Sequence, residues 1–228
     1  MNELRALRIT LILMGFLASS GAADWKPLLN GKNLDGWDII GDGVWVVMAD
    51  GTLVGERRWS KDFPAPGQDL IKRSDYTSWR DQQSWLYTKR NDFGDFDLHL
   101  EFWIRIVGNS GVSIRDPSRG KYGVTIPPDY KRTPSKLGYE IQINSEYPDP
   151  HPTGSIYGFV DAQTGAQRNN EWNSMEIESR KDLIRVKLNG QVVAEHSGDP
   201  ARPKTGPIGL QLHDQFSVVQ FRNIRIRE

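Results

Sequence analysis

Asp95-Phe96-Asp97-Leu98-His99-Leu100-Glu101-Phe102-Trp103-Ile104-Arg105-Ile106 decides the fold. Its even positions are all apolar, while its odd positions carry His99, Glu101, Trp103 and Arg105 among other polar residues. Alternation with a period of two gives a strand one face for a core and one polar face, whereas a helix repeats its apolar positions about every 3.6 residues. Outward from this strand the same signal returns in short runs. In Gly111–Arg115 (GVSIR), Val112 and Ile114 oppose Ser113 and Arg115. In Tyr139–Asn144 (YEIQIN), Ile141 and Ile143 oppose Glu140, Gln142 and Asn144. In Pro207–His213, Ile208, Leu210 and Leu212 alternate with Gly209, Gln211 and His213.

Turn chemistry joins these runs. Asp50-Gly51 connects Gly43–Ala49 to Thr52–Gly55, and Asn189-Gly190 connects Leu183–Leu188 to Gln191–His196. Both dipeptides suit tight hairpins, because each supplies residues that tolerate positive φ. The final strand, Ser217–Arg227, turns Val219, Phe221, Ile224 and Ile226 toward the core, with an irregularity expected near Asn223. Two Pro-, Gly- and charge-rich stretches, Glu56–Trp79 and Asp116–Leu137, read as long surface loops, which in compact domains tend to be functional. The expected fold is all-β, one domain over residues 24–228, a two-sheet antiparallel sandwich of jelly-roll type.

Residues 1–23 read differently. Arg5 and Arg8 precede a mostly apolar stretch, Ile9–Ala18, and small residues run from Ser19 to Ala23. This is the layout of a cleavable signal peptide, cut after Ala22 or Ala23, and it predicts a periplasmic or secreted protein. The apolar stretch is short for a membrane span, which needs roughly 20 apolar residues. The absence of cysteine excludes a disulfide framework and lipid attachment through a thiol. Lys and Arg number 29 against 29 Asp and Glu, so neither nucleic acid nor an anionic membrane is an expected partner. Eight tryptophans and seven tyrosines suit the C–H faces of sugar rings, although aromatic side chains mostly fill cores.

If the alternating strands share one sheet, a single surface collects Glu101, Arg115, Glu140, Gln142 and His213. Such a surface offers an acid, a base, a cation and amide hydrogen-bonders. The plainer reading is a solvated sheet face on which Glu101 and Arg115 form a cross-strand ion pair. A divalent metal held by Glu140 and His213 is a further reading, resting on ligand type alone, since His99, His151, His196 and His213 show no metal-ligand spacing. Glu176 and Glu178 share a strand face about 7 Å apart by the strand rise. A retaining glycosidase sets its carboxyls roughly 5 Å apart, so these two form a candidate pair of their own.

Several segments in order resemble one family. Leu29–Trp37 (LNGKNLDGW) is similar to the opening of the 3-keto-disaccharide hydrolase domain, and the likeness continues through Gly43–Trp45, Asp95–Phe102, Asn109–Arg115 and Gly138–Ile143. It resumes at Thr153–Gly158, Glu171–Asn173, Leu188–Gly190, Gly206–Gln211 and Phe221–Ile226. The resemblance implies a concanavalin A-like jelly roll that acts on glycosides already oxidised to a ketone at C3. By that likeness Glu140 and His213 are the acid/base pair and Arg115 clamps the C3 oxygen. Glu101, Gln142, Asn109 and Gln211 meet sugar hydroxyls, and Tyr157 or Trp103 stacks on the ring. An oxidoreductase that installs the ketone is the implied upstream partner. The insertion between Arg115 and Glu140 departs from the family pattern. A non-catalytic carbohydrate-binding module on the same sandwich is the alternative, because a fold does not fix a function.

Overall fold

The structure, a computed structural model, describes residues 24–57, 82–214 and 217–228. The expected signal peptide and most of the first loop lie outside the described residues. Among the described residues thirteen strands form two antiparallel sheets. The larger contains β1 (Lys26–Pro27), β3 (Gly43–Val47), β4 (Leu53–Arg57), β6 (Phe96–Ile104), β9 (Asn173–Arg180), β10 (Leu183–Leu188), β11 (Gln191–His196) and β13 (Val219–Arg227). Its order is β11-β10-β9-β6-β13-β4-β3, with β1 also paired to β13. The smaller runs β2 (Trp37–Ile40), β5 (Ser84–Thr88), β12 (Ile208–Leu212), β7 (Gly108–Ile114), β8 (Tyr139–Ser145). Among the described residues a single short helix, α1 (Pro134–Leu137), precedes β8.

The apolar faces meet as the alternation requires. Phe96, Leu98, Leu100, Phe102 and Ile104 of β6 pack in one core with Val112, Ile114, Ile141, Ile143, Ile208, Leu210 and Leu212 of the smaller sheet. Both hairpins form. Gly51 sits at φ 85°, and Asn189 and Gly190 at 49° and 82°, the left-handed conformations that Asp-Gly and Asn-Gly turns supply. Asn223 is the residue that breaks the register of β13 against β6, at φ 53° between Arg222 and Arg225. Ile106 falls outside β6 and is exposed, because the strand ends at Ile104 and the chain turns at Val107.

Two expectations need correction. The strand Asp95–Ile106 does not share a sheet with the strands that carry Glu140, Arg115 and His213: β6 belongs to the larger sheet, β7, β8 and β12 to the smaller. Alternation assigns each strand a buried face but says nothing of which sheet it joins. The polar face of the smaller sheet is also not wet. Every residue of β5, β7 and β12 is buried, because chain folds over that face. Gly123 O accepts from Gln83 N at 3.0 Å, and Gly120 lies so close to Trp85 that a Cβ there would stand 2.6 Å from its ring. Asp116 ties the start of this cover, accepting from Ser118 N and Gly120 N, both at 2.8 Å. The Asp116–Leu137 stretch is thus a lid over the sheet.

Candidate active site

Register builds the site. On the covered face of the smaller sheet Gly111 pairs with Gln142 and Ser113 with Glu140 across β7 and β8, while Gly209 pairs with Ser113 across β12 and β7. Glu140 and Gln211 therefore stand on strands that flank β7, and Gly111 has no side chain to separate them. Gln211 Nε2 donates to Glu140 Oε1 at 2.7 Å over the gap. A Cβ on Gly111 would lie 3.0 Å from that same oxygen. Glycine at this position is what lets a buried carboxyl lie flat on the sheet.

A cavity of about 320 Å³ opens above, lined by Glu140, Gln142, Asn109, His213, Tyr157 and Asp149 from the sheet side and adjoining turns, with Gln83 at its edge. Tyr130, Thr133, Ser135 and Lys136 close it from the lid and α1. Glu140 is only 5% exposed. Burial pushes its carboxyl up to about 7, against the His213 charge and the Gln211 hydrogen bond that favour the ionised form, while Asp149 and Asp116 reinforce the rise. Tyr157 donates to Asp149 Oδ2 at 3.1 Å, and burial beside that carboxylate pushes its phenol up to about 12. Tyr157 is therefore neutral at ordinary pH.

His213 directly follows β12, and its ring meets the buried Asp214: Nδ1 lies 3.4 Å from Oδ2. Asp214 is fixed in turn by Ser217, whose N and Oγ donate to Oδ1 at 3.0 and 3.2 Å. A carboxylate on Nδ1 selects the tautomer that leaves Nε2 for a ligand, the arrangement by which histidine bases are oriented. Around these groups stand buried polar atoms with no hydrogen-bond partner: Asn109 Nδ2 and Oδ1, Gln142 Nε2 and Gln211 Oε1. Buried amides left unpaired are costly unless a ligand or water completes them. Four such atoms, on three amides around one carboxyl, describe a site shaped for a hydroxyl- or carbonyl-rich guest.

The structure thus gathers Glu140, His213, Gln142, Asn109 and Tyr157 at one cavity, with Gln211 bonded to Glu140 beneath them. It does not bring Glu101, Trp103 or Arg115 there. Glu101 lies on the outer face of the larger sheet, accepting from Arg222 Nε at 2.6 Å and Asn223 Nδ2 at 2.7 Å. Trp103 shares that sheet, opposite Gln220. Arg115 follows β7 at φ 60°, a turn that swings its guanidinium to Ser179 Oγ (2.6 Å) on β9 of the larger sheet and to Gly94 O (3.2 Å) just before β6. Glu176 and Glu178 sit in cross-strand ion pairs with Lys187 (3.4 Å) and Arg185 (2.9 Å). Trp37 and Trp45 fill the core, and among the described residues no tryptophan lines this cavity. Among the described residues no group of three or more His, Asp or Glu side chains converges as a metal site.

Sequence reading missed Asp214, Asp149, Lys136 and Gln83. Asp214 was adjacent to a singled-out histidine and could have been found by asking what orients that ring. Asp149, in the Tyr147-Pro148-Asp149-Pro150 turn, and Lys136 reach the site only through the fold of their loops.

Known structures share this architecture. A protein from Parabacteroides distasonis ATCC 8503 that carries the name of a glycosyl hydrolase matches with 27% identity and a TM-score of 0.61, over 90% of this chain and 99% of that one. The carbohydrate-binding module CBM66 from Bacillus subtilis matches at 14% identity and TM-score 0.53, covering 85% of this chain and 96% of its own. A Bauhinia forficata lectin crystallised with GalNAc matches at 12% and 0.55, over 90% and 98%. The last two likenesses establish the jelly-roll fold alone. No curated protein sequence matches the chain. The model of the 3-keto-α-glucoside-1,2-lyase-like domain matches residues 24–227, and with nearly the whole chain described by that one family, the chain belongs to it.

Proposed function

We propose that this protein cleaves 3-keto glucosides by elimination across C1 and C2 followed by hydration. A ketone at C3 acidifies the C2 proton. Glu140, ionised, takes that proton, and the electron pair forms an enolate on the C3 oxygen. The enolate then expels the C1 substituent, whose oxygen receives a proton from His213. Water adds at C1 of the resulting unsaturated ketone and gives its proton to His213, Glu140 returns its proton to C2, and the free 3-keto sugar departs. A base whose pKa lies near the working pH is the effective one for carbon acids, and burial sets Glu140 there. The enolate oxygen needs fixed donors. With Arg115 turned away, the unpaired Asn109 Nδ2 and Gln142 Nε2 supply them. The observation that carries the reading is the buried carboxyl ringed by unpaired amides.

The chemistry requires an enzyme that oxidises C3 beforehand, and we propose that both act outside the cytoplasm, the signal-like segment 1–23 being removed on export. The assay compares leaving-group release from a 3-keto glucoside and from the same glucoside unoxidised, with chelator and with added divalent metal. Turnover of the ketone alone is expected. Full activity retained in both Glu140→Gln and His213→Ala would overturn the assignment. Binding without turnover under every metal condition would make the protein a carbohydrate-binding module. Glu176→Gln and Glu178→Gln are expected to leave the rate within about twofold and stability within about 1 kcal/mol, as for exposed ion pairs.

A further inference from the structure

Lys136 is the only lysine or arginine among the described residues that line the active-site cavity. It belongs to the lid, and its backbone is held on both sides. Lys136 N donates to Thr133 O at 2.8 Å, and Arg202 Nη1 donates to Ser135 O at 3.1 Å and Gly138 O at 2.5 Å. Thr133, Pro134 and Ser135 are buried while Lys136 is exposed, so its side chain stands at the cavity mouth. There its Nζ lies 3.9 Å from where a Cβ on Gly158 would sit, next to Tyr157 of the cavity wall.

This charge has no carboxylate of its own. Among the described residues the lysines that meet one within 4 Å are Lys89, Lys187 and Lys204. The two carboxyls lining the cavity are bonded elsewhere: Glu140 to Gln211, and Asp149 to the Tyr157 hydroxyl and, at 2.9 Å, to His151 N. The rest of the lid adds to the same sign. Residues 117–137 hold five Lys and Arg against Asp129 alone, in a chain with 29 charges of each sign. Arg119 and Arg132 are paired, with Asp38 at 2.9 Å and Asp129 at 2.6 Å, which leaves the lysines as the uncompensated charge. A cleft rimmed by one sign of charge concentrates ligands of the other.

We infer that the sugar taken at this site is acidic, with a carboxylate or sulfate at C6 that Lys136 binds at the mouth, an inference resting on the elimination proposed above. That reaction fixes how the ring lies. C2 meets Glu140, the C1 oxygen meets His213, and the C3 oxygen meets the amides of Asn109 and Gln142, so these three carbons face the cavity interior. The opposite edge of a pyranose is C4, C5 and the ring oxygen, and C6 projects from C5. That edge faces the mouth and Lys136. A C6 hydroxyl would offer the ammonium a neutral acceptor, whereas an anion makes a charge-assisted hydrogen bond, roughly twice as strong.

Three nitrophenyl 3-keto glycosides that differ only at C6 test this: the glucoside, the glucuronide and the glucoside 6-sulfate. At low ionic strength kcat/KM is expected to favour an acid over the neutral sugar by about tenfold, and the preference should shrink as salt is added. Lys136→Met should bring acid and neutral substrates within about twofold of each other, and Lys136→Arg should keep the preference. Preference for either acid upholds the inference, and the larger one names the substituent. Equal turnover of all three by the wild type, or a preference that survives Lys136→Met, would overturn it. A binding arm separates this from failure of the elimination. In Glu140→Gln, calorimetry should give 3-keto glucuronate an affinity about tenfold above that of 3-keto glucose, an advantage lost when Lys136→Met is added. If the wild type turns over no substrate and the advantage is present, the elimination falls and acid recognition stands. If it turns over the neutral sugar as fast as the acids, acid recognition falls and the elimination stands.

Discussion

At the scale of single residues, the burial that would make Glu140 the proposed base also costs the fold stability. Its carboxyl rises from 4.5 to about 7 because burial strips water from the charged form. Below about pH 4.5 both folded and unfolded chains hold the proton, and burial carries no ionisation penalty. Between 4.5 and 7 only the folded chain keeps it, so stability falls as pH rises, and above 7 the loss is complete. The total is of order 3 kcal/mol at most. Glu140→Gln is thus expected to be more stable than wild type at pH 8 and nearly equal to it at pH 4.5, by denaturant titration at the two pH values, while kcat drops by about a hundredfold or more. In the wild type kcat/KM should climb as pH rises through about 7, as the base form appears. Asp214 acts through His213 and makes a different prediction. Asp214→Asn should lower kcat by about tenfold or more with KM little changed, a split that loss of packing alone does not produce. Glu140 and His213 were legible as residues from alternation and resemblance. The raised carboxyl was not, because burial is a property of the surroundings and no local pattern encodes it.

At the scale of the element, the smaller sheet is organised by its glycines. Gly111 makes room for Glu140 and Gln211 to meet, and Gly209 makes room for Tyr87, whose ring would lie 2.5 Å from an added Cβ. Gly111→Ala pushes on the carboxyl at 3.0 Å and should cost mainly activity. Gly209→Ala collides with a buried ring and should cost about 1–3 kcal/mol of stability, so melting temperature and kcat measured on both variants should separate the two roles. Strands with one covered and one polar face were readable: the limits of β10 and β11 coincide with those expected from sequence, and those of β8 differ by one residue. β5 (Ser-Trp-Leu-Tyr-Thr) was not, since both its faces are buried, Leu86 in the core and Trp85 beneath Gly120. Where β7, β8 and β12 keep polar side chains on the covered face, β5 sets Trp85 and Tyr87 there, level with Gln211 and Gly209, so it has no apolar–polar alternation to show.

At the scale of the whole molecule, Arg115 links the sheets. It leaves the end of β7 in the smaller sheet and bonds Ser179 on β9 in the larger, with its side chain fully enclosed. Arg115→Ala should therefore lower stability by about 2 kcal/mol or more through lost packing and hydrogen bonding, while kcat/KM for a 3-keto glucoside stays within about twofold. Thermal melting beside steady-state kinetics reads both. The chain's sequence by itself determined which side of each strand is apolar, where Asp50-Gly51 and Asn189-Gly190 reverse direction, and that Glu140, Gln142 and Gln211 carry polar side chains on alternating strands. These are local consequences of side-chain period and backbone sterics. Only the tertiary structure decided that β6 lies in the other sheet, that Glu101 and Arg115 part from Glu140, and that the lid buries the polar face. Those outcomes depend on strand order and loop path, which are set by the packing of the whole chain, and they are what raise the carboxyl of a glutamate on a strand to near neutrality.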